Sequence, residues 1–366
     1  MPNRQEWRPW ASIQLPDDLC SLSDISPETR KLWDRVGGLP QLLDPSSCFT
    51  PRPPPFEDVW IELVRGCKSH QYDVTYKGEL LGDDRESEKE ELYALALLHT
   101  QQPIAREACG IKVMNIWEHG LQQRMILPEG LSKVNLGGSC MFSCHITPPG
   151  TISPFHHDFG KAQLVYCFGT KHWVVIPGLD ENIRHYINES VHDNVLKRFL
   201  THQPKGAILI KHTSEKVLFL PPGTIHAVET EEGAIFIGGE FPVIECLDVM
   251  PWLIRAQLQV FETSQEILKQ DLNNYTEVVK ETLRLRRDCL TILALKSWLE
   301  VYPVLLSTLR RLQGKSKNDL KDWTKDLFRL WGAWTKTTEI KACPCQPGKV
   351  LDEMGAHFRK EHLRQL

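Results

Sequence analysis

The chain reads as an α+β protein: an antiparallel β-sandwich or barrel occupies its middle, and helices stand before and after it. The first sign is a series of short runs rich in β-branched and aromatic residues, IKVMNIW, SCMFSCHIT, AQLVYCF, KHWVVIP, GAILIKHT, KVLFLP and GAIFIGGEF, punctuated by Gly and Pro. Helices do not alternate regularly with these runs, which argues against a doubly wound parallel sheet. The second sign is a change of period after Phe241. There VMPWLIRAQLQVFETSQEILKQ, YTEVVKETLRLRRDCLTILALKSWL and NDLKDWTKDLFRLWGAW carry apolar residues three and four apart, the spacing of amphipathic helices.

Residues 1–57 are rich in Pro, Asp and Ser. They hold one short helix candidate near Pro27 to Val36 and the run DPSSCFTPRPPP, and are expected to form a loosely ordered lead-in with a polyproline spacer. Residues 58–109 are expected to complete a helical cap: FEDVWIELVR, from Phe56, suits strand or helix, whereas SEKEELYALALLH, from Ser87, has helical spacing with acids leading. The barrel is assigned to residues 110–245, with an insertion from Asp180 to Gln203 that contains a helix around Asn194 to Leu200. Residues 246–336 form the helical region, of a size that gains from packing against the barrel. Residues 341–366 make a separate tail.

A length of 366 residues with 41% hydrophobic content supports a substantial core. The net charge of −4 argues against a protein that coats nucleic acid or anionic membrane over its whole surface. From Pro251 onward, however, Lys and Arg number 20 against 14 Asp and Glu, and a basic end behind an acidic body permits a chromatin or RNA setting. The opening MPNRQEWRPW has no apolar core of the secretory kind, and the longest apolar run, CLTILALKSWLEVYPVLL, is interrupted by Lys296 and Glu300. An intracellular, soluble protein with no membrane partner is therefore expected, nuclear in the first instance and otherwise cytoplasmic. The 11 cysteines, odd in number and scattered, read as reduced thiols with a few metal ligands among them.

Chemistry concentrates in SPFHHDFGKAQLVYCFGTKHW, residues 153–173, and FLPPGTIHAVETEEGAIFIGGEF, residues 219–241. Side chains two apart share one face of a strand, so His156 and Asp158 can aim at one point while His157 turns away. His226, just after the Pro-Pro-Gly turn, is the best third ligand. Two histidines and one carboxylate on one side of a metal leave the other positions open, the arrangement of non-haem Fe(II) oxygenases. Taken singly, each of these residues suits an ordinary packed position; the combination is what points to a metal.

The set FHHDFG, KHWVVIP, FLPPGTIHAV and IFIGGEF resembles the JmjC domain of the Fe(II)- and 2-oxoglutarate-dependent oxygenases, most closely the lysine demethylase branch with FHxDFG and IHAV...GGNF motifs. The likeness spans about Ile111 to Phe241. It implies a double-stranded β-helix, a jelly-roll cupin, with His156, Asp158 and His226 as iron ligands and catalytic centre. The buried distal carboxylate of 2-oxoglutarate needs a cation and hydroxyl donors. Lys171 falls where the family places its 2-oxoglutarate lysine, and Ser153, Tyr166 and Asn115 align with cosubstrate contacts, Ser153 standing where relatives carry Thr. Read without the family, Tyr166 equally suits a core aromatic and Asn115 a turn or edge position. Lys161 is a rival cation whose parity relative to Asp158 should turn it away. Glu240 departs from the family, which usually has Asn there.

The implied activity is removal of methyl groups from lysine on histone tails or other proteins through N-methyl hydroxylation. The alternatives are a JmjC protein hydroxylase, or a catalytically inactive metal-binding cupin that serves as a chromatin interaction module.

The tail, ACPCQPGKVLDEMGAHFRKEHLRQL, gathers Cys343, Cys345, His357 and His362. The histidine spacing fits a C2H2 zinc finger, although one residue separates the cysteines where two to four are usual. Val350, Leu351, Met354, Phe358 and Leu363 would give the small helix an apolar side. A structural zinc is the expectation, and an ordinary tail helix with a chance CPC the alternative. Arg359, Lys360 and Arg364 beside it could make a weak contact to nucleic acid or a partner protein.

Overall fold

The computed structural model describes residues 20–363 except 69–71, 77–78, 101–110, 117–123, 137–140, 159, 191–194, 263–264, 348 and 352. Its first elements are β1 (Cys20–Ser21), α1 (Pro27–Asp34), β2 (Gln41–Leu43), α2 (Phe56–Gly66), β3 (Asp73–Tyr76), β4 (Glu79–Leu80) and α3 (Glu86–His99). Next come β5 (Ile111–Ile116), β6 (Met141–Thr147), β7 (Ile152–His156), β8 (Ala162–Ile176), α4 (Asp180–Ser190), α5 (Val195–Thr201), β9 (Ile208–Thr213), β10 (Val217–Leu220) and β11 (Ile225–Phe241). The chain continues through α6 (Cys246–Gln259), α7 (Gln265–Arg284), α8 (Asp288–Arg311), α9 (Gly314–Thr337) and α10 (Met354–His362).

The strands join in one 11-stranded sheet, and the lengths of β8 and β11, 15 and 17 residues, explain its shape. These two pair antiparallel almost end to end, and each changes its outer partner half-way. The first part of β8 pairs with β10 and the second with β9; β11 pairs with β7 near its start and with β6 from Ala234 onward. The sheet therefore doubles back into two leaves, one running β2-β10-β8-β11-β6-β5-β3-β4 and the other β1-β9-β8-β11-β7. This is a double-stranded β-helix. The β8–β11 register slips between Thr230 and Ile235, where the corner lies. Gly169 occupies that corner at φ +127°, and a Cβ there would collide with the Gly233 carbonyl, so only glycine lets the two long strands turn together.

One apolar core runs from the leaf of β5 and β6 through α6 into the C-terminal helices, and includes Val113, Ile146, Ile237, Ile254, Tyr275 and Trp298. A second lies between the other leaf and helices α1, α4 and α5, with Trp33, Val174, Ile183, Phe199 and Ile210. α8 is long and apolar enough to cross a membrane by length and composition. Leu290, Ala294, Leu295, Trp298, Val301 and Leu305 along it are buried within the protein.

Several expectations change. Residues 20–57 are not a loose lead-in, because β1 and β2 pair with β9 and β10 and cover the outer edges of the two leaves. α1 begins where Ser26 caps the Thr29 amide at 3.0 Å and Pro27 takes the first turn, and it delivers Trp33 to the core. The Trp33 side chain is 0% exposed, and its indole N–H donates to the Gly206 carbonyl at 2.8 Å. The cap is only partly helical: FEDVWIELVR is helix, with Val59 and Leu63 buried, but β3 and β4 extend the sheet. The C-terminal helices break at residues 260–262 and 285–287, inside two of the periodic runs. Residues 1–19 of the lead-in and 101–109 of the cap lie outside the described residues.

Replacing Trp33 with Ala should cost about 3–5 kcal/mol in urea unfolding, because it removes a fully buried indole. An unchanged midpoint would mean that the segment before the barrel is not part of its core.

Candidate metal and cosubstrate site

β7 and β11 are antiparallel neighbours with His156 directly opposite His226. Facing residues of such a pair bring their side chains together, and the two rings stand 4.2 Å apart between centroids. β7 ends at His156, so Asp158 arrives from the loop that follows and not by strand alternation. Its carboxylate oxygens lie 3.8 Å from His156 Nε2 and 3.4 Å from His226 Nε2. Cis ligands about 2.1 Å from an ion stand about 3 Å apart, so the three groups are close to ligand spacing. His157 turns the other way, edge-on to Tyr186 at 5.7 Å.

Hydrogen bonds orient all three. His156 Nδ1 lies 2.7 Å from the Pro154 carbonyl and His226 Nδ1 lies 3.2 Å from the Thr224 carbonyl. A carbonyl only accepts, so the ring proton sits on Nδ1 and the Nε2 lone pair faces the common point. Gln163 Nε2 donates to Asp158 Oδ2 and fixes the carboxylate. Burial keeps the His226 imidazole neutral. Burial pushes the Asp158 carboxyl up, but attraction to a protonated histidine neighbour at low pH and the Gln163 hydrogen bond bring it down to about 2, so it is ionised at neutral pH. A carboxylate beside an orientated neutral imidazole is the donor set that a divalent cation takes.

The three residues open onto a cavity of about 290 Å³ between the leaves, lined by the buried Lys171 and the half-buried Lys112. Lys171 is 2% exposed; its ammonium donates to Thr147 Oγ1 at 2.9 Å and Thr230 Oγ1 at 3.5 Å, and lies 4.3 Å from the Phe236 ring centre. Lys112 donates to Ser153 Oγ at 2.9 Å. Burial, the first cause for both, lowers Lys171 to about 7 and Lys112 to about 8. Among the described residues neither has a carboxylate at ion-pair distance. An anion with a carboxylate for each end of the cavity is the chemical complement of such a wall.

The sequence-derived residues divide. His156, Asp158, His226, Lys171, Ser153 and Asn115 all line the cavity. Asn115 takes φ +54° at a bulge in β5 and donates to Asp73 Oδ2 at 2.7 Å. Tyr166 does not join them: it lies on the opposite face of β8, edge-on to Phe49 and Phe168 in the core, which is the plainer of its two readings. Lys161 is buried and reaches Glu240 at 3.4 Å, and Glu240 itself lines the cavity. Cys343, Cys345, His357 and His362 converge elsewhere, on the tail. Arg359 is held by Thr335, Lys360 stays exposed, and Arg364 lies outside the described residues. Lys112, Gln163 and Thr147 escaped the sequence reading. Lys112 left a trace as the one charge in IKVMNIW, and Gln163 as the one polar group opening AQLVYCF.

No family model matches the chain. Curated relatives do: "JmjC domain-containing histone demethylation protein 1" of Emericella nidulans is 30% identical over 124 residues, 32% of this chain and 9% of the relative. The proteins of that name from Kluyveromyces lactis and Candida glabrata are 33% identical over 89 residues and 28% over 102, covering 24% and 27% of this chain and 19% and 25% of theirs. The barrel is similar to the JmjC domain for which these relatives are named. The chain spans at most about a quarter of the length of these relatives. Among solved structures, the ribosomal oxygenase YcfD of Escherichia coli with cobalt and 2-oxoglutarate overlaps 56% of this chain and 48% of its own, at 11% identity and a TM-score of 0.32. A variant oxalate decarboxylase of Bacillus subtilis overlaps 28% and 21%, at 17% identity and a TM-score of 0.19.

Gln163→Leu should keep the fold and weaken divalent metal binding on the order of 10–100-fold, since the carboxylate loses the donor that orients it. Calorimetric titration of Mn(II) checks this. Unchanged affinity would show that Asp158 needs no such support.

Proposed function

We propose that this chain is an Fe(II)- and 2-oxoglutarate-dependent dioxygenase that demethylates methyl-lysine on a histone tail or another protein. The observation that carries the reading is the pair of imidazoles whose Nδ1 atoms are tied to backbone carbonyls, facing Asp158 above a cavity lined by two lysines with no carboxylate at ion-pair distance among the described residues. The relatives named for histone demethylation support the substrate class.

Bound iron with 2-oxoglutarate would supply the oxidation of a C–H bond by O2, coupled to loss of CO2 from the cosubstrate. The chain's part is placement. His156, Asp158 and His226 would hold the metal from one side. Lys171, with Thr147 and Thr230, would receive the distal carboxylate, and burial makes that charge pairing strong. Lys112 and Ser153 lie on the cavity wall nearer Asp158, whose charge Lys112 senses, and would steady the keto-acid end. Glu240 also lines the cavity, with its carboxyl raised to about 7 by burial and by Asp158 and opposed by Lys161, and when ionised it would attract a cationic methyl-ammonium group. A hydroxylated N-methyl group is unstable and breaks down to formaldehyde and the amine. The same oxidation on a carbon side chain stops at the alcohol.

Two experiments test this. Methylated histone peptides incubated with the protein, Fe(II), ascorbate and 2-oxoglutarate should lose methylene mass and release formaldehyde and succinate. Gain of oxygen mass instead would favour a hydroxylase, and no succinate at all would favour a silent binding module.

The second is pH dependence. Unfolded lysine titrates near 10.5 and buried Lys171 near 7, so between those values the unfolded chain holds more protons and cosubstrate-free stability rises with pH. Affinity for 2-oxoglutarate runs the other way, falling as pH rises through about 7 because the ammonium is lost. Lys171→Met should raise the melting temperature of the cosubstrate-free protein and abolish stabilisation by 2-oxoglutarate. Stabilisation that survives in this variant would remove Lys171 from the cosubstrate site.

A further inference from the structure

The geometry points to a second metal centre, a structural zinc bound by Cys343, Cys345, His357 and His362, independent of the barrel. The donor atoms lie within 4.8 Å of one another. Cys345 Sγ is 3.1 Å from Cys343 Sγ, 3.2 Å from His357 Nε2 and 3.3 Å from His362 Nε2, and Cys343 Sγ is 3.4 Å from His362 Nε2. Neighbouring S and N ligands of a tetrahedral zinc stand about 3.5 Å apart, given bonds of about 2.3 and 2.1 Å. Both thiols are free of disulfides.

The backbone is built for the site. Ala342 and Val350 form an antiparallel bridge, Leu351 N–H donates to the Lys341 carbonyl at 2.7 Å, and the turn between them closes through Gln346 N–H on the Cys343 carbonyl at 3.0 Å. This hairpin presents both thiols, and α10 follows with both imidazoles, a hairpin-and-helix order that suits C2H2 coordination. The module does not stand free. Phe358 is fully buried, with its ring centre 5.2 Å from both Trp331 and Trp334 of α9, and the Trp298 indole N–H of α8 donates to the His362 carbonyl at 3.1 Å. A Cβ on Gly355 would collide with the Thr335 carbonyl, so the helix seats directly on α9. Arg359 also reaches Thr335 Oγ1 at 3.1 Å, which engages the guanidinium that a nucleic-acid contact would need. The ion would therefore clamp the tail to the helical region and stabilise it, rather than read a base sequence.

The test is metal content of the full chain carrying His156→Ala and Asp158→Ala, so that the barrel contributes no metal, after purification from zinc-supplemented medium. One zinc per chain is expected by inductively coupled plasma mass spectrometry, and its replacement by Co(II) should give thiolate charge-transfer and tetrahedral d–d bands. Adding Cys343→Ser and Cys345→Ser should remove zinc. In case that variant fails to fold, His357→Cys supplies the second arm: it should keep zinc and strengthen the thiolate bands, whereas His357→Ala should lose the metal more readily to a chelator. A chain without zinc and without cobalt–thiolate bands overturns the proposal, and so does zinc that persists in the double serine variant. Neither result bears on the barrel, two of whose three metal ligands are absent from the samples.

Discussion

Everything proposed for the barrel depends on one pairing across two strands, in which His156 of β7 faces His226 of β11. A one-residue slip would turn one imidazole into the opposite face and leave a single ligand beside Asp158. The register is held from outside the site. β11 is laddered along its length to β8, and the Pro154 and Thr224 carbonyls lock the rings through Nδ1. Both carbonyls lie two residues before the histidine they hold, so the same local backbone that carries each ligand also sets its tautomer.

Charge is the second constraint. A cavity that gathers half-buried Lys112 and buried Lys171, without a carboxylate at ion-pair distance among the described residues, is unfavourable for the fold by itself. Such an arrangement makes sense where an anionic ligand completes it, a case in which stability is given up at a site to be recovered on binding. Glu240 fits the same logic. Burial and the nearby Asp158 raise its carboxyl, and Lys161 opposes them, so the wall that departs from the family's Asn keeps a titratable acid with a cation at hand.

Much of this was legible in the sequence because it rests on motifs with local geometry: the FHHD segment, the histidine after the Pro-Pro-Gly turn, and Lys171 within a strand. Strand alternation brought the right pair of residues together for a reason that holds only to His156, since Asp158 lies past the strand end. Tyr166 was ambiguous because parity along β8 says which residues share a face but not which face meets the cavity. Lys112 lies 41 positions from the Ser153 it bonds, and no spacing rule reaches that far. The packed segment around Trp33 was misread for a related reason. Its composition is that of a loop, and its order comes from edges of the sheet supplied by β9 and β10, far along the chain. The helix breaks near 260 and 285 were hidden because apolar spacing runs on through them.

The most direct measurement is a crystal structure of the protein with Mn(II) and N-oxalylglycine, an unreactive analogue of 2-oxoglutarate, with anomalous data collected for manganese. The account requires an anomalous peak bonded to His156 Nε2, His226 Nε2 and one oxygen of Asp158, and the far carboxylate of the analogue on Lys171 with Thr147 and Thr230. A peak elsewhere, or an analogue whose far carboxylate avoids Lys171, would contradict it.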